Sequence, residues 1–163
     1  MPDWISATDY YWPLNTLVNG VALGTIPATV TGNVTLTDIM AFGRDVLYFS
    51  SYKAYLNAPD GEGCLVDGNE CRDGISLSLI VKFKKAGLYW YSTTTFIVDS
   101  IGDDSQSRGF TLYVNNNKLS AFFATDRRTW TTSIPLQTEV WLHILFTWSP
   151  QAGLILYKNA FMQ

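Results

Sequence analysis

Ile75-Ser-Leu-Ser-Leu-Ile-Val-Lys-Phe83 places Ile75, Leu77, Leu79, Val81 and Phe83 at every second position, with Ser76, Ser78, Ile80 and Lys82 between them. A period of two sends alternate side chains to opposite faces of an extended chain, so this stretch is a strand with one face in a core. Downstream, Phe110-Thr-Leu-Tyr-Val114 and Lys118-Leu-Ser-Ala-Phe-Phe-Ala124 flank Asn115-Asn-Asn117. Asn tolerates the positive φ of a tight turn, so the two segments form a hairpin. Trp141 to Trp148 and Gly153 to Lys158 form another through Ser149-Pro-Gln-Ala-Gly153, where Pro150 presets a turn. Upstream, Thr95 to Ile101 and Asp45 to Ser50 are strands, and Asp9 to Leu14 is a short edge segment because Pro13 has no N–H for a ladder. Gly20 to Gly32, rich in Gly, Pro and Thr, has no periodicity and is expected to be an irregular excursion. No helical period of useful length is present. Many strands at short spacing indicate an all-β chain, an antiparallel β-sandwich or barrel rather than a parallel α/β sheet.

Composition narrows the function classes. The chain has 163 residues, against a prior of about 150 per domain, so a single domain over 1–163 is expected. Hydrophobic residues make up 47% and charged ones 15%, the opposite of a disordered chain. Net charge is −3 and the 11 Lys and Arg are scattered, which provides no footprint for nucleic acid or for an anionic membrane surface. No apolar run reaches the ~18 residues needed to span a bilayer as a helix. Met1-Pro2-Asp3-Trp4 lacks the basic and apolar regions of a signal peptide, leaving an intracellular protein or a piece of a larger one as the alternatives. Cys64 and Cys71 lie in GCLVDGNECRDG, whose turn residues let the chain fold back. A disulfide is expected, implying an oxidising compartment; two free thiols in a cytosolic loop are the alternative. Six residues between the cysteines and a single His143 argue against zinc.

Three blocks together resemble the laminin G and pentraxin-like branch of the concanavalin A-like lectin and glucanase jelly rolls. Gly74-Ile-Ser-Leu-Ser-Leu-Ile-Val-Lys82 is similar to a family strand that usually carries Trp at the position of Ile80. Arg108-Gly-Phe-Thr-Leu-Tyr-Val-Asn-Asn-Asn-Lys-Leu119 resembles the family's "G-F-x-L" strand, turn and returning strand. Trp141-Leu-His-Ile-Leu-Phe-Thr-Trp148, followed by Gly153-Leu-Ile-Leu-Tyr-Lys-Asn159, resembles "W-x-H-hydrophobic" and "L-x-L-Y-x-N-G", with Ala160 for the usual Gly. Tyr11-Trp-Pro-Leu14 and the cysteine pair also resemble modules in adhesion-type receptor ectodomains. The resemblance implies a jelly-roll sandwich ending before the family's last strand or strands. It also implies an extracellular or cell-surface location within a larger secreted or membrane protein, and non-catalytic binding or adhesion through a glycan or protein ligand. No membrane insertion by this segment is expected, although the parent protein would be free to carry an anchor.

Each chemical candidate has a plainer alternative. Relatives that hydrolyse glycosides use Glu-x-Asp-x-Glu on one strand, whereas Glu62, Glu70 and Glu139 are not so arranged. Asp99 and Asp103 are the nearest imitation, with Gly102 ending the strand between them, so no catalytic residue is assigned and no enzyme is expected. A purely structural spacer is the remaining alternative. His143 has no Gly-x-Ser-x-Gly elbow to serve, and it is expected to be a hydrogen-bonded structural residue. Ca²⁺ is the candidate cofactor, since many relatives bind it and hard cations want several oxygens from loops. Asp99, Asp103 and Asp104, with Asp126 approaching at the same sandwich end, would supply them; solvated acidic loops are the alternative. Arg127, Arg128 and Trp130 in Thr125-Asp-Arg-Arg-Thr-Trp130 form a basic and aromatic loop suited to a sugar or protein interface, with Trp130 equally placed to be core. Trp90, in Tyr89-Trp-Tyr91, is a second candidate contact. Asn33-Val-Thr35 is an N-glycosylation sequon if the chain is secreted.

Overall fold

The structure is a computed structural model that describes residues 14–24, 27–39, 44–49, 55–57, 63–65, 67–84, 94–100 and 108–159. Among them there is no α-helix, and every strand pairing is antiparallel. The chain divides into two compact units, Met1–Asp60 and Gly61–Gln163.

In the first unit, β1 (Leu17–Val18), β2 (Val21–Ala22), β3 (Ala28–Thr31) and β6 (Tyr55–Asn57) form one sheet, and β4 (Val34–Ile39) pairs with β5 (Arg44–Phe49). Asn19 and Gly20 have φ of 52° and 77°, the two positive values of a primed hairpin turn between β1 and β2. Strands β2 and β3 therefore occupy part of the segment expected to be irregular. Their core-facing residues are Ala22 and Ala28, both fully buried; side chains this small leave no hydrophobic alternation in the sequence. β5 falls where Asp45 to Ser50 predicts it, while Asp9 to Pro13 lie outside the described residues.

The second unit contains two sheets, ordered β11-β10-β9-β8 and β13-β12-β7. Their strands are β7 (Ile75–Lys82), β8 (Thr95–Asp99), β9 (Gly109–Asn115), β10 (Lys118–Ala124), β11 (Thr129–Pro135), β12 (Trp141–Ser149) and β13 (Gly153–Lys158). One core joins Phe110, Leu112, Val114, Leu119, Ala121 and Phe123 of the first sheet to Leu142, Ile144, Phe146, Trp148 and Leu156 of the second. Phe110 meets Phe146 at 5.7 Å, and Phe123 stacks on Trp148 at 4.0 Å with the planes 20° apart. This is a β-sandwich, and its inner faces are the alternations the sequence predicts: Leu142, Ile144, Phe146 and Trp148 are buried while their neighbours on β12 are not.

The β9–β10 hairpin turns on Asn116 and Asn117, with φ of 48° and 59°, between the paired Asn115 and Lys118. A β-branched side chain is disfavoured at such a φ. Asn117→Val is expected to lower stability by about 1–2 kcal/mol, whereas Asn117→Gly leaves it unchanged or raises it. Urea melts of the two variants measure the difference.

Candidate functional site

The disulfide loop folds as two short 3-10 turns, Gly63–Leu65 and Gly68–Glu70. Asp67 caps the second, its Oδ1 accepting from the Asn69 N–H at 2.9 Å. Cys64 and Cys71 are bonded, with Cα atoms 4.7 Å apart, and Cys71 is buried in the sandwich core. Gly68 packs so closely on β10 that a Cβ there would fall on the Ala124 carbonyl oxygen and lie 3.2 Å from the Phe123 ring. The cysteine-containing segment is thus seated on one end of the sandwich. Arg108 at the start of β9 faces Asp67 across 3.7 Å, an exposed pair worth little in itself.

At the same end, β10 and β11 are joined by a turn whose backbone is fixed by its first residue. The Thr125 N–H donates to the Arg128 carbonyl at 2.9 Å. The Thr125 hydroxyl accepts from the N–H groups of Arg127 and Arg128 at 3.3 and 3.2 Å. The Asp126 N–H donates to Oδ1 of Asn69 at 3.1 Å, a bond spanning 57 positions of sequence. The disulfide loop therefore holds the turn from the side, and Arg127 and Arg128 project from it exposed. A guanidinium offers paired donors to a carboxylate or sulfate, and a rigid base removes part of the ordering cost of binding.

Trp130 takes the packed alternative. It is half-buried, 6.0 Å from Phe123 and edge-on to Trp148 at 5.2 Å, so it supports the arginine turn from below. Asp99 ends β8 at the same end of the sandwich, and its Oδ1 accepts from the Thr111 hydroxyl at 2.7 Å. Asp103, Asp104 and Trp90 lie outside the described residues. Among the described residues no three His, Cys, Asp or Glu are grouped to hold a metal. Asn33 is exposed in the turn between β3 and β4.

His143 lies on the outward face of β12, where its Nε2 and the Ser78 hydroxyl of β7 are 2.8 Å apart. A hydroxyl beside an imidazole has the outline of a nucleophile and base. The two stand on the outward face of adjacent paired strands, β7 and β12. The pair is a cross-strand tie. It is accompanied by a reciprocal link in which the His143 N–H donates to Asn159 Oδ1 at 3.1 Å and the Asn159 N–H donates to the His143 carbonyl at 2.7 Å.

Among the described residues no helix is long and apolar enough to cross a membrane. Comparison of the chain with protein-family models, curated proteins and solved structures found no match.

Proposed function

We propose that this chain is a non-catalytic binding or adhesion module of the concanavalin A-like, laminin G or pentraxin-like group, working at the cell surface or outside the cell. Its ligand is a glycan or protein engaged at the disulfide-braced end of the sandwich. The observation that carries this reading is the bond from Asn69 to the Asp126 amide, because it ties the backbone of the turn that presents the exposed Arg127 and Arg128 to a covalently closed loop. A disulfide fits an oxidising environment, and an exposed Asn33 in a turn fits a sequon that receives a glycan there. The fold alone supplies no function; the site has to do so.

Screening on arrays of sulfated and sialylated glycans and of extracellular protein domains tests the reading. The wild-type chain is expected to bind at least one class, and Arg127→Ser with Arg128→Ser is expected to weaken binding by about tenfold or more. Equal binding by the double variant, or no binding to either array, would contradict it.

A further inference from the structure

Asn19 is the one asparagine of the chain that is followed by glycine, and it stands at the tip of the β1–β2 hairpin. Asn19 and Gly20 are both exposed, and a Cβ on Gly20 would meet nothing within 4 Å among the described residues. Gly20, lacking a Cβ, leaves its own amide nitrogen open to the Asn19 side chain. The pairing around this turn is short. β1 and β2 have two residues each, and β1 is the edge strand of its sheet. Such an edge opens locally at a small fraction of the global unfolding free energy, which frees Asn19 from its turn conformation. The other side of the turn stays seated, because the Gly20 carbonyl accepts from the Val30 N–H of β3 at 2.8 Å.

The remaining asparagines differ. Oδ1 of Asn69 accepts from the Asp126 N–H at 3.1 Å, Oδ1 of Asn159 accepts from the His143 N–H at 3.1 Å, and Nδ2 of Asn115 donates to the Thr94 hydroxyl at 3.0 Å. Asn15, Asn33, Asn57, Asn116 and Asn117 are each followed by a residue with a Cβ that crowds the next amide nitrogen. Asparagine is chemically labile in proteins, and in this chain exposure, a glycine neighbour and a weakly paired edge coincide at Asn19.

We infer that Asn19 is a site of spontaneous deamidation through a cyclic imide, with isoaspartate as the main product. The Gly20 amide nitrogen gives its proton to solvent base and attacks Cγ of Asn19. An N–Cγ bond forms, the Cγ–Nδ2 bond breaks, and ammonia leaves. Water then opens the imide: cleavage at the main-chain carbonyl of residue 19 gives isoaspartate, and cleavage at the side-chain carbonyl gives aspartate. Water is the only co-reactant, and nothing is oxidised or reduced. Isoaspartate routes the main chain through the side-chain carbon and so lengthens a two-residue turn by a methylene. Turn length selects turn type, so the pairs Val18 with Val21 and Leu17 with Ala22 are not both retained. A carboxylate also replaces a neutral amide at the tip.

Ageing of the whole chain tests this. Wild type and Asn19→Gly, which keeps a residue suited to the positive φ, are held for several weeks at mildly acidic and at mildly alkaline pH beside a synthetic peptide of residues 14–24. Samples are digested with pepsin in acid, and electron-transfer fragmentation distinguishes isoaspartate from aspartate. Wild type is expected to lose Asn19 ahead of every other asparagine and to gain isoaspartate there, faster at the alkaline pH, while Asn19→Gly gains none in this segment. In the aged protein the Val18 and Val21 amides are expected to exchange faster with solvent, with the β12 amides of the other unit as the unchanged reference. Four results would overturn the inference: no isoaspartate at Asn19 over the time in which the free peptide converts, another asparagine converting first, aspartate without isoaspartate, or unchanged exchange at Val18 and Val21 in the converted chain.

Discussion

Replacing Trp148 by alanine is expected to cost about 3–5 kcal/mol and to lower the melting temperature of the second unit by on the order of 10 °C. Trp148 is 5% exposed, and its ring bridges the two sheets, stacked on Phe123 at 4.0 Å and met by Trp130 at 5.2 Å. Its indole N–H has no acceptor among the described residues, so the loss is one of packing and not of a hydrogen bond. That separates two variants. Trp148→Phe retains much of the stack and discards a buried donor without a partner, and is expected to cost far less than Trp148→Ala. Thermal and urea melts of both variants check the ordering; equal costs would mean that Trp148 acts through its N–H.

Gly68→Ala is the second large effect, about 3 kcal/mol, because the added methyl meets a backbone carbonyl, which cannot swing aside as a long side chain can. The φ of Gly68 is not in the left-handed region, so the cost is steric and not conformational. The only relief is to lift the disulfide loop off β10, which would break the bond from Asn69 to the arginine turn. Hydrogen exchange of the Asp126 amide is therefore expected to accelerate in this variant while amides of β12 stay protected. Unchanged protection at Asp126 would show that the turn is held without the loop.

The sequence made the strands legible wherever one face is apolar and the other is not. β7 and β12 alternate over eight and nine residues, and the Asn pair between β9 and β10 marks its turn. β11 is less legible because Thr132 interrupts the inward apolar row between Trp130 and Ile134. β2 and β3 are hidden by Thr, Gly and small buried alanines. At the site, composition pointed to Arg127 and Arg128 and to the cysteine pair, and the structure places both at one end. What no local pattern carries is the contact between them: Gly68 against Ala124 and Asn69 against Asp126 join segments more than fifty positions apart. The ambivalence of Trp130 reflects its chemistry, a large apolar ring that serves a core and an interface equally well.

The binding account stands on the covalent closure of the loop that carries Asn69. Closing so short a loop contributes roughly 2.5 kcal/mol in the chain-entropy model. The direct measurement is the intact mass of protein produced through a secretory pathway, alkylated under denaturing conditions with and without prior reduction. The account predicts no alkylation before reduction and two alkyl groups after it, with both modified cysteines mapping to Cys64 and Cys71. Two alkyl groups without reductant would mean free thiols, and with them an unbraced arginine turn and no reason to place the protein outside the cell.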